Sequence, residues 1–338
     1  MPEDFDDDAS EQGGRWGYVS WRPSTKSRVL LGHVNEILDL YKPQRPLTLR
    51  QIYYRLVAAY HYPHSQGWYG NTLSRTLTLA RRAEFTTNDD KLLFDVIRDD
   101  EFIQRIPFCY HDQPDFWIRT KQNAKLFTLD RQDGQEYHTI LWCEAAGMVP
   151  QLQRITFPYG IPVFSSGKFD GITAKRNIGE EWAEEERPIR VLHLGDHNPS
   201  GIHIFEALAR DIIRFAEQAA ERDALQDPEI EFHRIALLPE QVTDIPPDLP
   251  NPKDRRRFDW MAVRIGTGDY ERTIDINPLE AWELEALAPD AIAAIVREAI
   301  REEWDADAYN DVIEDEKRAR HILAQRLERV EKIMVRGN

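Results

Sequence analysis

Carboxylates that close apolar strands are the residues of this chain best suited to chemistry. The run 189–215, IRVLHLGDHNPSGIHIFEALARDIIRF, reads as a buried strand, a turn and an amphipathic helix. Val191, Leu192 and Leu194 form the short apolar run of a strand inside a parallel sheet. Asp196, His197, Asn198, Pro199, Ser200 and Gly201 make the turn, and Ile202, Phe205, Leu208, Ile212 and Phe215 then recur at helical spacing. A carboxylate at the carboxyl end of such a strand lies where open α/β sheets hold their ligands. The helix start beyond it suits phosphate oxygens. The chemistry this suggests is a divalent cation held against a phosphodiester. Taken alone, Asp196 reads equally well as a turn or cap residue bonding nearby backbone N–H groups.

A second acid ends a second strand. In TILWCE (139–144), Ile140 and Trp142 alternate with Leu141 and Cys143, so both faces are expected to be buried, and Glu144 closes the run. A helix over AGMVPQLQRI, a strand over GIPVF and a polar loop SSGKFDG follow. The order strand, helix, strand, loop, helix, strand predicts right-handed crossovers and a parallel sheet. Glu144 and Asp196 then share one sheet edge and can converge on one cation. Hard Mg²⁺ (magnesium) prefers oxygen ligands and usually keeps several waters.

The third candidate lies upstream in PLTLRQIYYRLVAAY (46–60). Thr48 and Gln51 form a capping-box pattern, so a helix should begin at Leu49. Leu49, Ile52, Tyr53 and Leu56 fall on one stripe. Tyr54 falls beside it, one turn after Arg50. A phenol with a pKa near ~10 is a poor nucleophile at neutral pH, so a neighbouring cation such as Arg50 should help its ionised form. Tyr54 reads otherwise as a core or interface tyrosine whose hydroxyl finds a local partner.

These motifs resemble a known family. Glu at one strand end and an Asp-x-Asp-like DHN at a later one resemble the Toprim domain of topoisomerases, primases and some nucleases. The wording GDHNPSGI is similar to the version in the A subunit of topoisomerase VI and in related bacterial and phage proteins that occur without the partner ATPase subunit. The Arg50-x-x-Tyr53-Tyr54 pattern resembles that of topoisomerase VI A subunits and the meiotic double-strand-break proteins. There it lies in a winged-helix domain and the second tyrosine is the nucleophile. The motifs cover residues 48–215. The resemblance implies cleavage of double-stranded DNA through Tyr54, assisted by Arg50, with Mg²⁺ at Glu144, Asp196 and Asn198. It also implies a homodimer in which Tyr54 of one protomer approaches the metal site of the other, a 5′-phosphotyrosyl end, and a separate ATPase partner for strand passage. One position departs: Asn198 stands where the family carries a second Asp. Asn keeps an oxygen ligand but loses the charge, which lowers metal affinity or the occupancy of a second metal. Two other readings stay open. One is a Toprim nuclease using metal-activated water; the other is a non-catalytic DNA-binding or assembly protein whose site has decayed.

Around this core the signals are weaker. His193 reads as a packed strand histidine or as a group supporting the acids. His197 is expected to face solvent. Lys168, in the SSGKFDG loop, falls near the path of a substrate phosphate. Arg75 and Arg82 are two helical turns apart and share a face that could track phosphates, or that is simply solvated. The run KDRRR (253–257) reads as an exposed basic loop. Cys109 and Cys143 are too few for a zinc site and suggest no disulfide framework, as in a reducing cytoplasm.

Length and charge frame these motifs. At 338 residues the chain suits two or three domains, and its net charge of -16 argues against nonspecific coating of DNA. No signal peptide is expected, no apolar run reaches the length of a membrane span, and no GxxxxGK phosphate loop is seen. The expected fold class is α/β. An acidic tail (1–23) leads to a winged-helix-like DNA-binding domain (24–128) with Tyr54. A turn-rich linker (130–134) leads to a parallel Toprim-like sheet flanked by helices (135–245). A Pro-rich and basic loop (246–272) and a C-terminal helical region (273–338) follow, with Asn277, Pro278 and Glu280 marking a helix start.

Overall fold

The computed structural model describes residues 20–98, 108–165, 172–242, 245–247, 261–265, 267, 271–276 and 280–336. The fold is mixed α/β, with parallel strands flanked by helices. The first helix, α1 (Thr25–Leu40), packs against α2 (Leu49–Tyr60). The predicted capping box sets the start of α2: Thr48 Oγ1 accepts from Gln51 N at 3.1 Å and Gln51 Oε1 accepts from Thr48 N at 2.9 Å. The stripe Leu49, Ile52, Tyr53 and Leu56 is buried as its spacing requires. Just before α2, β1 (Leu47–Thr48) makes a short parallel ladder with β2 (Ile97–Arg98). After the helix Arg75–Arg82, Thr86 and Leu92 form an isolated antiparallel bridge, with Thr87 N donating to Lys91 O at 2.8 Å and Leu93 N to Phe85 O at 3.0 Å.

The central sheet contains β3 (His138–Cys143), β4 (Val163–Ser165), β5 (Ile189–Leu194) and β6 (Ile230–Ala236). All pairings are parallel and the order is β4-β3-β5-β6. The chain leaves β3 for the edge at β4 and returns to β5 on the other side. β3 and β5 are therefore neighbours at the point where the winding reverses, with Cys143 opposite Leu194. Crevices at such points hold ligands in open α/β sheets because the loops diverge there.

Both sheet faces are covered, as the alternation in TILWC predicts. Ile140, Trp142 and Val191 face α3 (Pro199–Asp223), whose Ile202, Phe205, Leu208 and Ile212 are buried in the same cluster. Leu141, Cys143, Leu192 and Leu194 belong to the other core, with Ile52 and Leu56 of α2 and with Ile292 and Val296 of α4 (Pro289–Arg301). Each such aliphatic side chain removed from water contributes roughly 1.5–3 kcal/mol.

Two C-terminal expectations are corrected. The range 246–272 is not wholly loop: β7 (Met261–Ile265) pairs antiparallel with β8 (Arg272–Ile276). The helical reading of the chain from 275 also fails. Residues 280–287 form an irregular strap with one 3₁₀ turn at Leu284–Ala286, and the helix begins only at Pro289. The cause is tertiary. His197 and Trp282 exchange both backbone hydrogen bonds at 2.9 Å, and Trp282 Nε1 donates to Ile245 O at 3.1 Å. Trp282, Leu284 and Leu287 are buried, but by this docking and not by a helix. Asn277 and Pro278, the KDRRR run, Lys168 and residues 1–19 of the acidic tail lie outside the described residues. Among the described residues no helix is long and apolar enough to cross a membrane.

Candidate acidic site at the sheet switch point

Glu144 and Asp196 meet where β3 and β5 end. Glu144 N donates to Leu194 O at 2.9 Å, and Glu144 Oε2 accepts from Asp196 N at 3.0 Å. Between them Gly195 is a requirement of space. A Cβ there would lie 2.6 Å from His193 Cε1, 2.7 Å from Glu144 Oε2 and 3.1 Å from Arg234 Nη1. Burial, and then the charge of Asp196, push the Glu144 carboxyl up to about 7, against the Asp196 N–H bond and Arg234.

Arg234 is the cation behind the pair. It rises from β6, is 1% exposed, and its Nη2 donates to Gly195 O at 2.8 Å and to Asp196 O at 2.5 Å. Burial lowers its pKa to about 10, while Glu144 and Asp196 oppose that fall. His193 is a packed strand histidine, with its ring 4.3 Å from that of Phe205 and Nδ1 3.4 Å from Arg234 Nη1. Burial and Arg234 hold it well below the usual histidine range, so it stays neutral. The expectation that His197 faces solvent is wrong. It is 2% exposed and packs against Trp282 with ring centroids 5.8 Å apart, because the strap covers it; burial first, then Arg234, lowers its pKa to about 4.

The strap supplies what the sequence motifs left out. Leu284 N donates to Asp196 Oδ1 at 2.8 Å, which seats Glu283 and Glu285 beside the acid turn. Burial, then Asp196 and Glu283, raise Glu285 to about 8. A further carboxylate therefore stands near Asp196. Asn198 itself has another task. It is the N-cap of α3, and its Oδ1 accepts from Gly201 N at 2.7 Å.

The strap also reaches the tyrosine helix. Tyr54 Oη donates to Glu283 Oε2 at 3.2 Å, and Arg50 Nη1 bonds the same oxygen. Arg55 Nη2 donates to Ala286 O. Burial works against the Arg50 charge, but Glu283, Tyr69, Tyr54 and Glu285 together raise its pKa. Tyr54, Arg50, Glu283, Glu285, Asp196 and Glu144 thus form one continuous constellation within a single chain. The other candidates stand apart. Arg75 is exposed and Arg82 half-buried on the helix Arg75–Arg82. Cys109 is exposed, while Cys143 is buried with its thiol pushed up by burial, so it is chemically quiet.

The donor set suits a hard cation. Glu144 and Glu285 are carboxylates raised by burial and by neighbouring negative charge, the state that a bound divalent ion relieves. Among the described residues no group of three or more His, Cys, Asp or Glu side chains is placed to hold a metal ion. Mg²⁺ does not need one, since it binds through one or two carboxylates and keeps its waters. No family model matches this chain, and neither a curated protein nor a solved structure does.

Proposed function

We propose that this protein cleaves double-stranded DNA by Mg²⁺-dependent transesterification through Tyr54, in the manner of a type IIB topoisomerase A subunit. The observation that carries this reading is the pair of hydrogen bonds to Glu283, which joins Tyr54 and Arg50 to the segment that also carries Glu285 and binds Asp196, within one chain and not across a dimer as the resemblance implies. Glu144 and Asp196 would hold the ion, with Glu285 close by. An ion held there would supply positive charge to offset the charge developing on the phosphoryl oxygens. Tyr54 Oη attacks phosphorus and the bond to the 3′-oxygen breaks, leaving a 5′-phosphotyrosyl end that can be resealed. Arg234 keeps the acid turn in shape through its bonds to the Gly195 and Asp196 carbonyls. Arg75, Arg82 and Lys168 would track backbone phosphates. A homodimer, a separate ATPase partner and a cytoplasmic setting complete the proposal.

The alternative is a Toprim nuclease in which metal-activated water attacks. The burial of Tyr54, 1% exposed, favours it. The capping role of Asn198 favours the third reading, a non-catalytic DNA-binding or assembly protein. Incubation with supercoiled plasmid and Mg²⁺, quenched with detergent, separates the three. Protein-linked breaks that vanish in Tyr54→Phe are expected. Unlinked breaks that survive Tyr54→Phe but vanish in Glu144→Ala would establish hydrolysis, and DNA binding without breaks would establish the third reading.

A further inference from the structure

Tyr54 is withheld, not presented. It is 1% exposed and its hydroxyl donates to a carboxylate. The hydroxyl hydrogen is engaged by Glu283, so that contact must open before the oxygen can turn to a phosphate. Arg50, the cation suited to activating it, is paired to the same oxygen and lies 5.0 Å from the Tyr69 ring centroid. The carboxylate belongs to the strap 280–287, which is pinned to the acid turn by Leu284 N and the His197–Trp282 bridge, and to α2 by Arg55. Leu284 N also occupies Asp196 Oδ1. One segment therefore engages the nucleophile, its cation and one oxygen of the acid pair together.

We propose that Glu283 is a positioning residue that holds Tyr54 and Arg50 in a closed pairing, and that strand cleavage requires the Glu283 side chain to release them. This rests on Tyr54 being the nucleophile. A DNA phosphate is the natural competitor, because it offers Arg50 an anionic oxygen in place of Glu283.

Glu283→Ala and Glu283→Gln test the proposal with two readouts. At saturating DNA the Ala variant should form the protein–DNA adduct about tenfold faster than the natural chain, the order of one charge-assisted hydrogen bond, and should bind DNA more tightly because the competing carboxylate is gone. Gln keeps an oxygen for Tyr54 but loses the charge that holds Arg50, so it should be intermediate. It also keeps the side-chain volume and decides the matter if Ala does not fold. Without DNA, nitration of Tyr54 by tetranitromethane, followed by peptide mass, should be slow in the natural chain and about tenfold faster in the folded Ala variant. A residue that merely supports the fold would lower the cleavage rate on removal. Unchanged or slower adduct formation together with unchanged nitration would overturn the proposal. Breaks that persist in Tyr54→Phe would instead defeat the assignment of the nucleophile, and nitration would still report whether Glu283 restrains Tyr54.

Discussion

Replacing Glu144 by Gln should stabilise the protein, and by more at pH 8 than at pH 5. Gln keeps an oxygen to accept the Asp196 N–H, now at 3.0 Å, so the change isolates the charge. In the natural chain the carboxyl is raised from 4.5 to about 7, by burial first and Asp196 second. Below pH 4.5 the group is protonated in both folded and unfolded chains and adds no pH dependence. Between pH 4.5 and 7 the unfolded chain releases the proton while the folded chain keeps it, so stability falls as pH rises and levels off above 7. At about 1.4 kcal/mol per tenfold, this rise sets a ceiling of roughly 3 kcal/mol. Partial exposure of the side chain and sharing of the repulsion with Asp196 reduce the expected gain to roughly 1–2 kcal/mol. His193 and His197, both held neutral, act in the opposite sense below pH 6.5, so the natural chain's own curve mixes the effects. Subtracting the two proteins' curves cancels the histidines. The assay is urea unfolding of both proteins at pH 5, 6, 7 and 8, with and without Mg²⁺. Mg²⁺ should stabilise the natural chain more at pH 8 than at pH 5, and the Gln variant much less at either. A stability difference that stays flat from pH 5 to 8 would refute the picture of a desolvated acid pressed by its neighbour.

Three further outcomes follow from the same geometry. Gly195→Ala puts a methyl 2.7 Å from Glu144 Oε2, so the acid must move; Mg²⁺ affinity, read by isothermal titration, should be lost, with destabilisation of ~1–3 kcal/mol. Arg234→Leu removes the buried cation behind two acids and should cost ~3–5 kcal/mol in urea unfolding, the penalty of leaving buried charge unmatched. Asn198→Ala should cost ~1 kcal/mol in thermal unfolding through loss of the cap on α3 and leave Mg²⁺ affinity nearly unchanged, whereas Asn198→Asp should keep the cap and raise that affinity.

Legibility in the sequence tracked how local each cause is. The α2 start was readable because the capping box is a contact between residues three apart, and it forms as read. The strands β3 and β5 were readable because burial on both faces writes itself as an unbroken apolar run. Neighbouring acids at their ends followed from the crossover order. Arg234 was missed, although a charge inside the run FHRIALL is a signal in itself, since a buried charge demands partners. The strap was misread because Trp282, Leu284 and Leu287 mimic a helical stripe. What holds it extended is backbone pairing to His197 and Asp196, more than 80 residues away, and no local pattern encodes that contact.

The electrostatics of the constellation separate it from an ordinary buried ion cluster. Glu316 is 2% exposed and shows the ordinary case. Burial alone would push its carboxyl up, yet Arg131, bonded at 3.0 Å, helps bring it below the usual range. At the switch point the balance runs the other way. Glu144 rises to about 7 and Glu285 to about 8, while Arg234, the cation in reach of Glu144 and Asp196, is itself lowered. A fold that needed these acids only for stability would gain by replacing them with apolar residues of similar size. Acids held at such a cost, at the carboxyl edge of a parallel sheet and bonded through one strap to a tyrosine and an arginine, are what the proposed cation site would draw on.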